Sequence, residues 1–119
     1  MTTRTPLVAG NWKLHKTLAE ARGLAGALRT ALGDSPGTVD VLVAPVATAL
    51  ATVASELEGS RIGVAGQNMH HEEAGAFTGE LSPVLLADAG ASHVILGHSE
   101  RRGLFGETDE GVNRKVAAA

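Results

Sequence analysis

Four short apolar runs, each followed by a helical pattern, constrain the fold of this chain more than any other feature. They predict strands at 6–11, 40–45, 61–68 and 93–97. The runs are continuous and do not alternate between apolar and polar residues, which is typical of strands covered on both faces. Strand–helix units repeated in this way predict an α/β fold with a parallel sheet and right-handed crossovers.

Start and stop signals predict where the first two helices lie. Thr17 and Glu20 have the spacing of a capping box, in which two helix-start donors are satisfied reciprocally. A glycine- and proline-containing stretch at 33–37 ends this helix. The second helical stripe begins at Val46, directly after the second predicted strand.

The last two predicted helices differ in how they end. Ser82 as N-cap and Pro83 as first helical residue start the third helix, and Gly90 stops it. The fourth starts near Thr108, but 113–119 contains no glycine stop or capping residue. We therefore expect 1–119 to be one unit truncated within or after its fourth helix, with a frayed natural tail as the alternative.

Composition excludes several classes of protein. The chain has 119 residues, the size of one domain, and a net charge of −3, which does not favour nucleic acid or an acidic membrane surface. It contains no cysteine, so disulfides and thiolate metal sites are excluded, and we expect a reducing, cytoplasmic location. No apolar stretch approaches the roughly 20 residues of a membrane helix, and the first residues do not resemble a signal peptide.

Polar side chains follow the first and fourth predicted strands where each strand ends. Asn11 and Lys13 point the same way because they alternate along the chain, and Glu100 follows His98 two residues on. The carboxyl ends of parallel strands meet at one edge of a sheet, where ligands bind. An amide, a cation, an imidazole and a carboxylate suit an anionic substrate with a carbonyl group to polarise.

Each of these residues also has a purely structural interpretation. Lys13 alone is typical of a solvated surface lysine, and Asn11 of a residue that bonds a turn. His98 alone is typical of a satisfied core histidine. Glu100 has two arginines after it that it could balance. The shared chemistry of two strand ends favours the functional interpretation.

Other candidate sites in the sequence are weaker. The run 70–73, His-His-Glu-Glu, suggests a metal, but adjacent histidines in a loop are more typical of a solvated segment. The segment 75–80 is not a phosphate-binding P-loop, because Lys-Ser/Thr does not follow its second glycine. A phosphate-binding α/β module of another kind is therefore a weak alternative.

Three segments together resemble the triosephosphate isomerases: VAGNWKLHKT (8–17), GQNMHHEEAGAFTGE (66–80) and VILGHSERR (94–102). They occur in the right order and span almost the whole chain. The resemblance implies the first four units of a (β/α)8 TIM barrel. It also implies an isomerase of glycolysis and gluconeogenesis that interconverts dihydroxyacetone phosphate and D-glyceraldehyde 3-phosphate through an enediolate, without a cofactor.

The resemblance assigns catalytic roles to five residues. Asn11 and Lys13 bind the substrate, and Lys13 offsets the charge of the phosphate and the enediolate. His98 is a neutral electrophile that hydrogen-bonds the substrate oxygens, which is the family's known mechanism and is taken over here by resemblance. Glu100 pairs with Lys13 and holds it, and Ser99 lies in the same turn.

The resemblance also gives the long loop 69–80 a role at a subunit interface. In the family this loop reaches into a neighbouring subunit, where Thr78 would support Asn11 and Lys13 while Phe77 packs beside it. The alternative is a mobile surface loop. Twelve residues are long for a bare connection, which favours a function for this loop.

The resemblance covers the first half of the family's barrel. The second half carries the glutamate base, a flexible lid and the phosphate-binding loops, and Glu100 is a poor substitute because it pairs with Lys13. Without a positioned base there is no proton acceptor, so we expect the chain alone to be inactive.

Half a barrel leaves surfaces that a complete barrel buries. The first and fourth strands would have bare edges, and inward-facing Leu7, Ala9, Val94 and Leu96 would meet water. We therefore expect self-association, or docking on a complementary C-terminal half-barrel. The alternative function is a non-catalytic, self-assembling half-barrel.

Overall fold

At the centre of the computed structural model, which describes residues 3–33 and 37–119, four parallel strands lie side by side in chain order. They are β1 (Leu7–Asn11), β2 (Asp40–Ala44), β3 (Ile62–Gly66) and β4 (His93–Val94). The predicted α/β fold with a parallel sheet is confirmed. Part of the predicted stop of the first helix, 34–36, lies outside the described residues.

Three of the helices described begin at predicted capping residues. Thr17, Ser82 and Thr108 each accept a backbone N–H through the side-chain oxygen. At Thr17 the capping box is complete, because Glu20 accepts the Thr17 N–H at 3.1 Å in return. This bond to the Thr17 backbone is the main reason that the pKa of Glu20 lies below its usual value. The helices are α1 (Leu18–Leu32), α2 (Ala47–Glu56), α3 (Pro83–Asp88), α4 (Ser99–Phe105) and α5 (Asp109–Ala118).

The two faces of the sheet are covered differently, because successive side chains of a strand point to opposite faces. The first face packs against helices α1, α2 and α3 in the main core. A smaller cluster lies on the opposite face. The buried main core comprises Ala21, Ala25, Val43, Ala49, Leu50, Val53, Leu57, Ile62, Val64, Met69 and Leu86, and the smaller cluster comprises Leu42, Ala44 and Ala65, with Ile95 beside it.

Strand β1 forms one edge of the sheet and is poorly covered. Ala9 lies opposite Leu42, so Leu7 and Ala9 share the face of the smaller cluster, as predicted. Leu7 is 54% exposed and Val8, on the other face, is 58% exposed. Both faces of this edge strand therefore present apolar surface to solvent.

The prediction that Val94 and Leu96 point inward with Leu7 is wrong. Both pack against the main core on the helix side, and Ile95 lies with the smaller cluster instead. The pairing of Val94 with Gly66 sets this orientation. In the β4 segment it is therefore Ile95, and not Val94 or Leu96, that lies on the same face as Leu7.

Strand β4 is shorter than the predicted strand 93–97. Helix α4 follows it, although the sequence did not predict a separate helix there. Ile95 N–H still donates to Gly66 O at 2.9 Å, so pairing with β3 continues one residue beyond His93–Val94. Gly97 then turns the chain away with a φ of +65°, in the left-handed region that favours glycine. Beyond this point, side chains rather than strand pairing bind the N–H and the carbonyl of Gly97, as described below.

None of the helices formed by residues 3–33 and 37–119 has the length and apolar character to cross a membrane.

Candidate active site

The segments after β1 and β4 meet through an ion pair. Lys13 Nζ lies 2.5 Å from Glu100 Oε1, and both side chains are about half exposed, at 50% and 45%. The hydrogen bond from Lys13 is the largest cause that holds the pKa of Glu100 below its usual value, which keeps the carboxylate ionised. Glu100 therefore pairs with Lys13 and not with either of the two arginines that follow it.

The backbone around Lys13 is held in an uncommon conformation. Lys13 has a φ of +54°, which is costly for a residue with a side chain and persists only where the surroundings hold it. Its N–H donates to Asn11 Oδ1 at 2.9 Å, and its carbonyl accepts from Gln67 Nε2 at 2.9 Å. Gln67 also donates to Ala44 O at 2.9 Å, which ties this loop to the end of β2.

The imidazole of His98 has a defined hydrogen-bonding role. His98 is the N-cap of α4, and its Nδ1 accepts the Glu100 N–H at 3.1 Å. A ring nitrogen that accepts carries no proton, so the neutral ring holds its proton at Nε2. Among the described residues Nε2 has no protein partner, and it can therefore donate to a ligand.

The other predicted site residues lie close by. Asn11 is half-buried. Its Oδ1 accepts the Lys13 N–H, and its Nδ2 remains available to donate. Ser99 is exposed and is the first residue of α4, next to His98. The structure thus brings the ends of β1 and β4 together as an amide, an ammonium, an imidazole and a carboxylate.

The loop 69–80 extends from the sheet with most of its residues exposed. The His70 ring stacks on His71 and Phe77, with ring centroids 4.4 and 4.2 Å apart. Phe77 is still partly exposed, and Thr78 is exposed near the tip. The structure does not bring these two residues to Asn11 or Lys13 within one chain.

An open groove lies beside the site, between the segment after β1 and the start of α2. It has a volume of about 840 Å³ and is lined by Asn11, Trp12, Thr17 and Thr48, among others. Leu14 at its rim is 91% exposed. Across residues 3–33 and 37–119, no three His, Asp or Glu residues cluster as metal ligands would.

Sequence reasoning missed two residues that support the site. Gln67 follows β3 as Asn11 ends β1, so the rule that polar residues gather at strand ends could have found it. Glu107 accepts from Gly97 N–H and from Arg101 Nε, but no local pattern links it to those partners. Both residues act on the backbone of the site.

Four parallel strand–helix units with polar side chains at their carboxyl ends define the first half of a (β/α)8 TIM barrel. The crystal structure of triosephosphate isomerase from Bartonella henselae has the same fold, with a TM-score of 0.85 at 40% identity, over 98% of this chain and 47% of that one. The sequence model of triosephosphate isomerase matches residues 6–119. This chain belongs to the triosephosphate isomerase family.

Curated relatives give the same result from sequence. The triosephosphate isomerase of Pelobacter propionicus is 62% identical over 116 residues, which are 98% of this chain and 46% of that protein. That of Syntrophotalea carbinolica is 59% identical over 115 residues, 97% of this chain and 45% of that protein. The chain spans about half the length of these relatives.

Proposed function

We propose that this chain supplies the substrate-binding and electrophilic part of a triosephosphate isomerase site, which interconverts dihydroxyacetone phosphate and D-glyceraldehyde 3-phosphate. The observation that carries this proposal is the meeting of Lys13, Glu100 and His98 at one end of the sheet. The family's enzymes act on a small anion with a carbonyl group, and the site offers a group for each part. Asn11 and Lys13 bind this substrate.

Lys13 supplies positive charge where negative charge develops. Its pairing with the ionised Glu100 holds the ammonium at the end of the sheet where the site lies. Preorganised charge of this kind lowers the free energy of an enediolate more than that of the substrate, whose carbonyl oxygen carries no formal charge. The φ of +54° at Lys13 is consistent with strain stored at a functional position.

His98 supplies a hydrogen-bond donor to the substrate oxygens. The Glu100 N–H bond to Nδ1 leaves the proton at Nε2, so the neutral ring donates without first becoming a cation. Ser99 lies in the same turn and belongs to this catalytic group by resemblance. Proton transfer between the two carbons needs a separate base, which the family carries in its second half.

The chain alone is therefore expected to have little or no isomerase activity. Glu100 is engaged by Lys13 and is not free to accept a carbon-bound proton. Activity requires a complementary C-terminal half-barrel, which would pair with the edges of β1 and β4. Leu7 and Val8, both more than half exposed, are the surface that such a partner would bury.

The loop 69–80 is proposed to dock on a second subunit. Phe77 and Thr78 lie far along an exposed loop, and the groove lined by Asn11 and Trp12 is open to receive it. Thr78 would then support Asn11 and Lys13 of the neighbouring subunit. We also propose a cytoplasmic location, which cell fractionation would test.

A binding experiment tests the proposed roles without requiring turnover. Addition of dihydroxyacetone phosphate to the isotope-labelled chain should shift the NMR signals of Asn11, Lys13 and His98. Lys13→Met should abolish these shifts, while Lys16→Met, which removes a nearby exposed lysine, should keep them. Equal shifts in both variants would contradict the role of Lys13.

A mixing experiment separates this function from the alternative of a non-catalytic, self-assembling half-barrel. The exposed apolar surface of β1 favours association in either case. If the chain gains isomerase activity when mixed with a C-terminal half-barrel of a relative, the enzymatic proposal holds. If it forms stable oligomers of its own and never gains activity, the alternative holds.

A further inference from the structure

We propose that Glu107 is a positioning residue for His98. This inference rests on the proposed role of His98 as the electrophile and names a residue that sets its geometry. The Glu107 carboxylate bonds to Gly97, Arg101 and Lys115. It acts on the turn that carries the imidazole.

The Glu107 carboxylate spans this turn on both sides of His98. Its Oε1 accepts the Gly97 N–H at 3.2 Å, and its Oε2 accepts from Arg101 Nε at 2.8 Å. Gly97 directly precedes His98, and Arg101 lies one helical turn after it. One carboxylate group thus fixes the distance between the entry and the exit of the turn.

Lys115 holds the carboxylate itself, and Asn68 holds Lys115. Lys115 Nζ lies 3.1 Å from Glu107 Oε2 and 2.9 Å from Asn68 Oδ1. The side chains of Glu107 and Lys115 are only 6% and 11% exposed, so this network is buried. It ties the His98 turn to α5 and to the segment after β3.

Further contacts hold Gly97 in this arrangement. Its carbonyl accepts from Arg102 Nε at 3.1 Å, so side chains hold both of its backbone polar groups. A Cβ at Gly97 would lie 3.0 Å from Val112 Cγ2, which shows how closely α5 packs there. Residues 102–112 therefore hold Gly97, the residue that directly precedes His98.

The consequence for chemistry lies in the tautomer of His98. The Glu100 N–H reaches His98 Nδ1 because the first turn of α4 is held in place. If Glu107 no longer spans the turn, this bond loosens and the imidazole can exchange between its two neutral tautomers. A purely structural ion pair would lower stability without this change.

NMR of the chain with 15N-labelled histidine tests the proposal at a pH where His98 is neutral. The unmodified chain should show His98 protonated at Nε2. Glu107→Gln should show a mixture of tautomers and a shifted Glu100 amide signal. Glu110→Gln, which removes an exposed carboxylate from the start of α5, should match the unmodified chain.

Glu107→Asp keeps the charge but is too short to reach both Gly97 and Arg101, so it should also give mixed tautomers. It serves as the test if Glu107→Gln does not fold. A single Nε2–H tautomer in a folded variant of Glu107, with only its melting temperature lowered, would overturn the proposal.

Dihydroxyacetone phosphate added to the same samples separates this proposal from the proposed function. A tautomer change in Glu107→Gln supports the positioning role whether or not the ligand binds. Absence of any ligand response in the unmodified chain counts against the function alone.

Discussion

Lys13 Nζ contacts Glu100 Oε1 at 2.5 Å although the two residues lie 87 positions apart in the chain. The contact closes a bridge between the outer strands of a four-stranded sheet. Each residue comes from a segment that follows its strand, so the bridge spans the end of the sheet where the site lies. Its strength is limited by solvent, because both side chains are about half exposed.

Glu100→Gln should weaken binding of dihydroxyacetone phosphate without affecting stability appreciably. Exposed pairs contribute little to folding, but the substitution removes the charge that holds Lys13 in the site. We expect the dissociation constant to rise roughly tenfold, the effect of one charge-assisted hydrogen bond. NMR titration measures it, with the exposed Glu58→Gln as control. A lower melting temperature with unchanged binding would contradict this prediction.

Stability should fall in acid through Glu107. Burial alone would raise the pKa of this carboxyl, but its bonds to Arg101 and Lys115 lower it below the ordinary value of 4.5. A group with a lowered pKa in the folded state contributes stability that is complete above its unfolded pKa and is lost as the pH falls through the folded pKa. The free energy of unfolding should therefore decrease below about pH 4.5.

Urea unfolding at a series of pH values measures this dependence. Glu107→Gln should flatten the acid slope and cost about 3 kcal/mol near neutral pH, because the nearly buried Lys115 and the partly exposed Arg101 both lose their charged partner. Glu110→Gln, which removes an exposed carboxylate, is the control and should change the free energy of unfolding near neutral pH by about 0.5 kcal/mol or less. The assignment to Glu107 fails if the slope survives in Glu107→Gln.

Gly97→Ala should destabilise the chain by about 1–3 kcal/mol. The φ of +65° is unfavourable for alanine, and the new methyl group would lie 3.0 Å from Val112. Gly103→Ala is the matched control, because a Cβ there meets nothing within 4 Å and alanine favours the helix. Thermal unfolding should show a loss for the first variant and no loss for the second.

Leu50→Ala should cost about 2–5 kcal/mol, the usual range for a buried leucine. Leu50 is 2% exposed in the main core between α2 and the sheet, whereas Leu104 is 76% exposed on α4. Leu104→Ala should change the free energy of unfolding by about 0.5 kcal/mol or less. Similar losses from both variants in chemical denaturation would mean that the core is not where the structure has it.

Apolar runs and capping residues were enough to predict the first three strands and the starts of α1, α3 and α5. These signals are local. An apolar run marks a strand that is covered on both faces, and a hydroxyl residue marks the start of a helix, so each can be recognised from a few neighbouring residues. The predicted end of β4 was wrong, because at Gly97 charged side chains bind the backbone N–H and carbonyl that would otherwise pair with a strand. Glu107 supplies one of them from ten positions away, and no periodicity reveals that contact.

The site residues followed from strand ends and family resemblance, and their roles stay predictions. The orientation of Val94 and Leu96 failed for a different reason. Strand side chains alternate, so an error of one residue in assigning the inward positions exchanges the two faces. The pairing of Val94 with Gly66, which decides the matter, is a long-range contact.

The Gln67 amide donates to the carbonyls of both Lys13 and Ala44, so one side chain links the ends of three neighbouring strands within this chain. A half-barrel that completed the proposed site would thus meet loops that hydrogen bonds already hold on this side. It would spend little of its association free energy on ordering these loops.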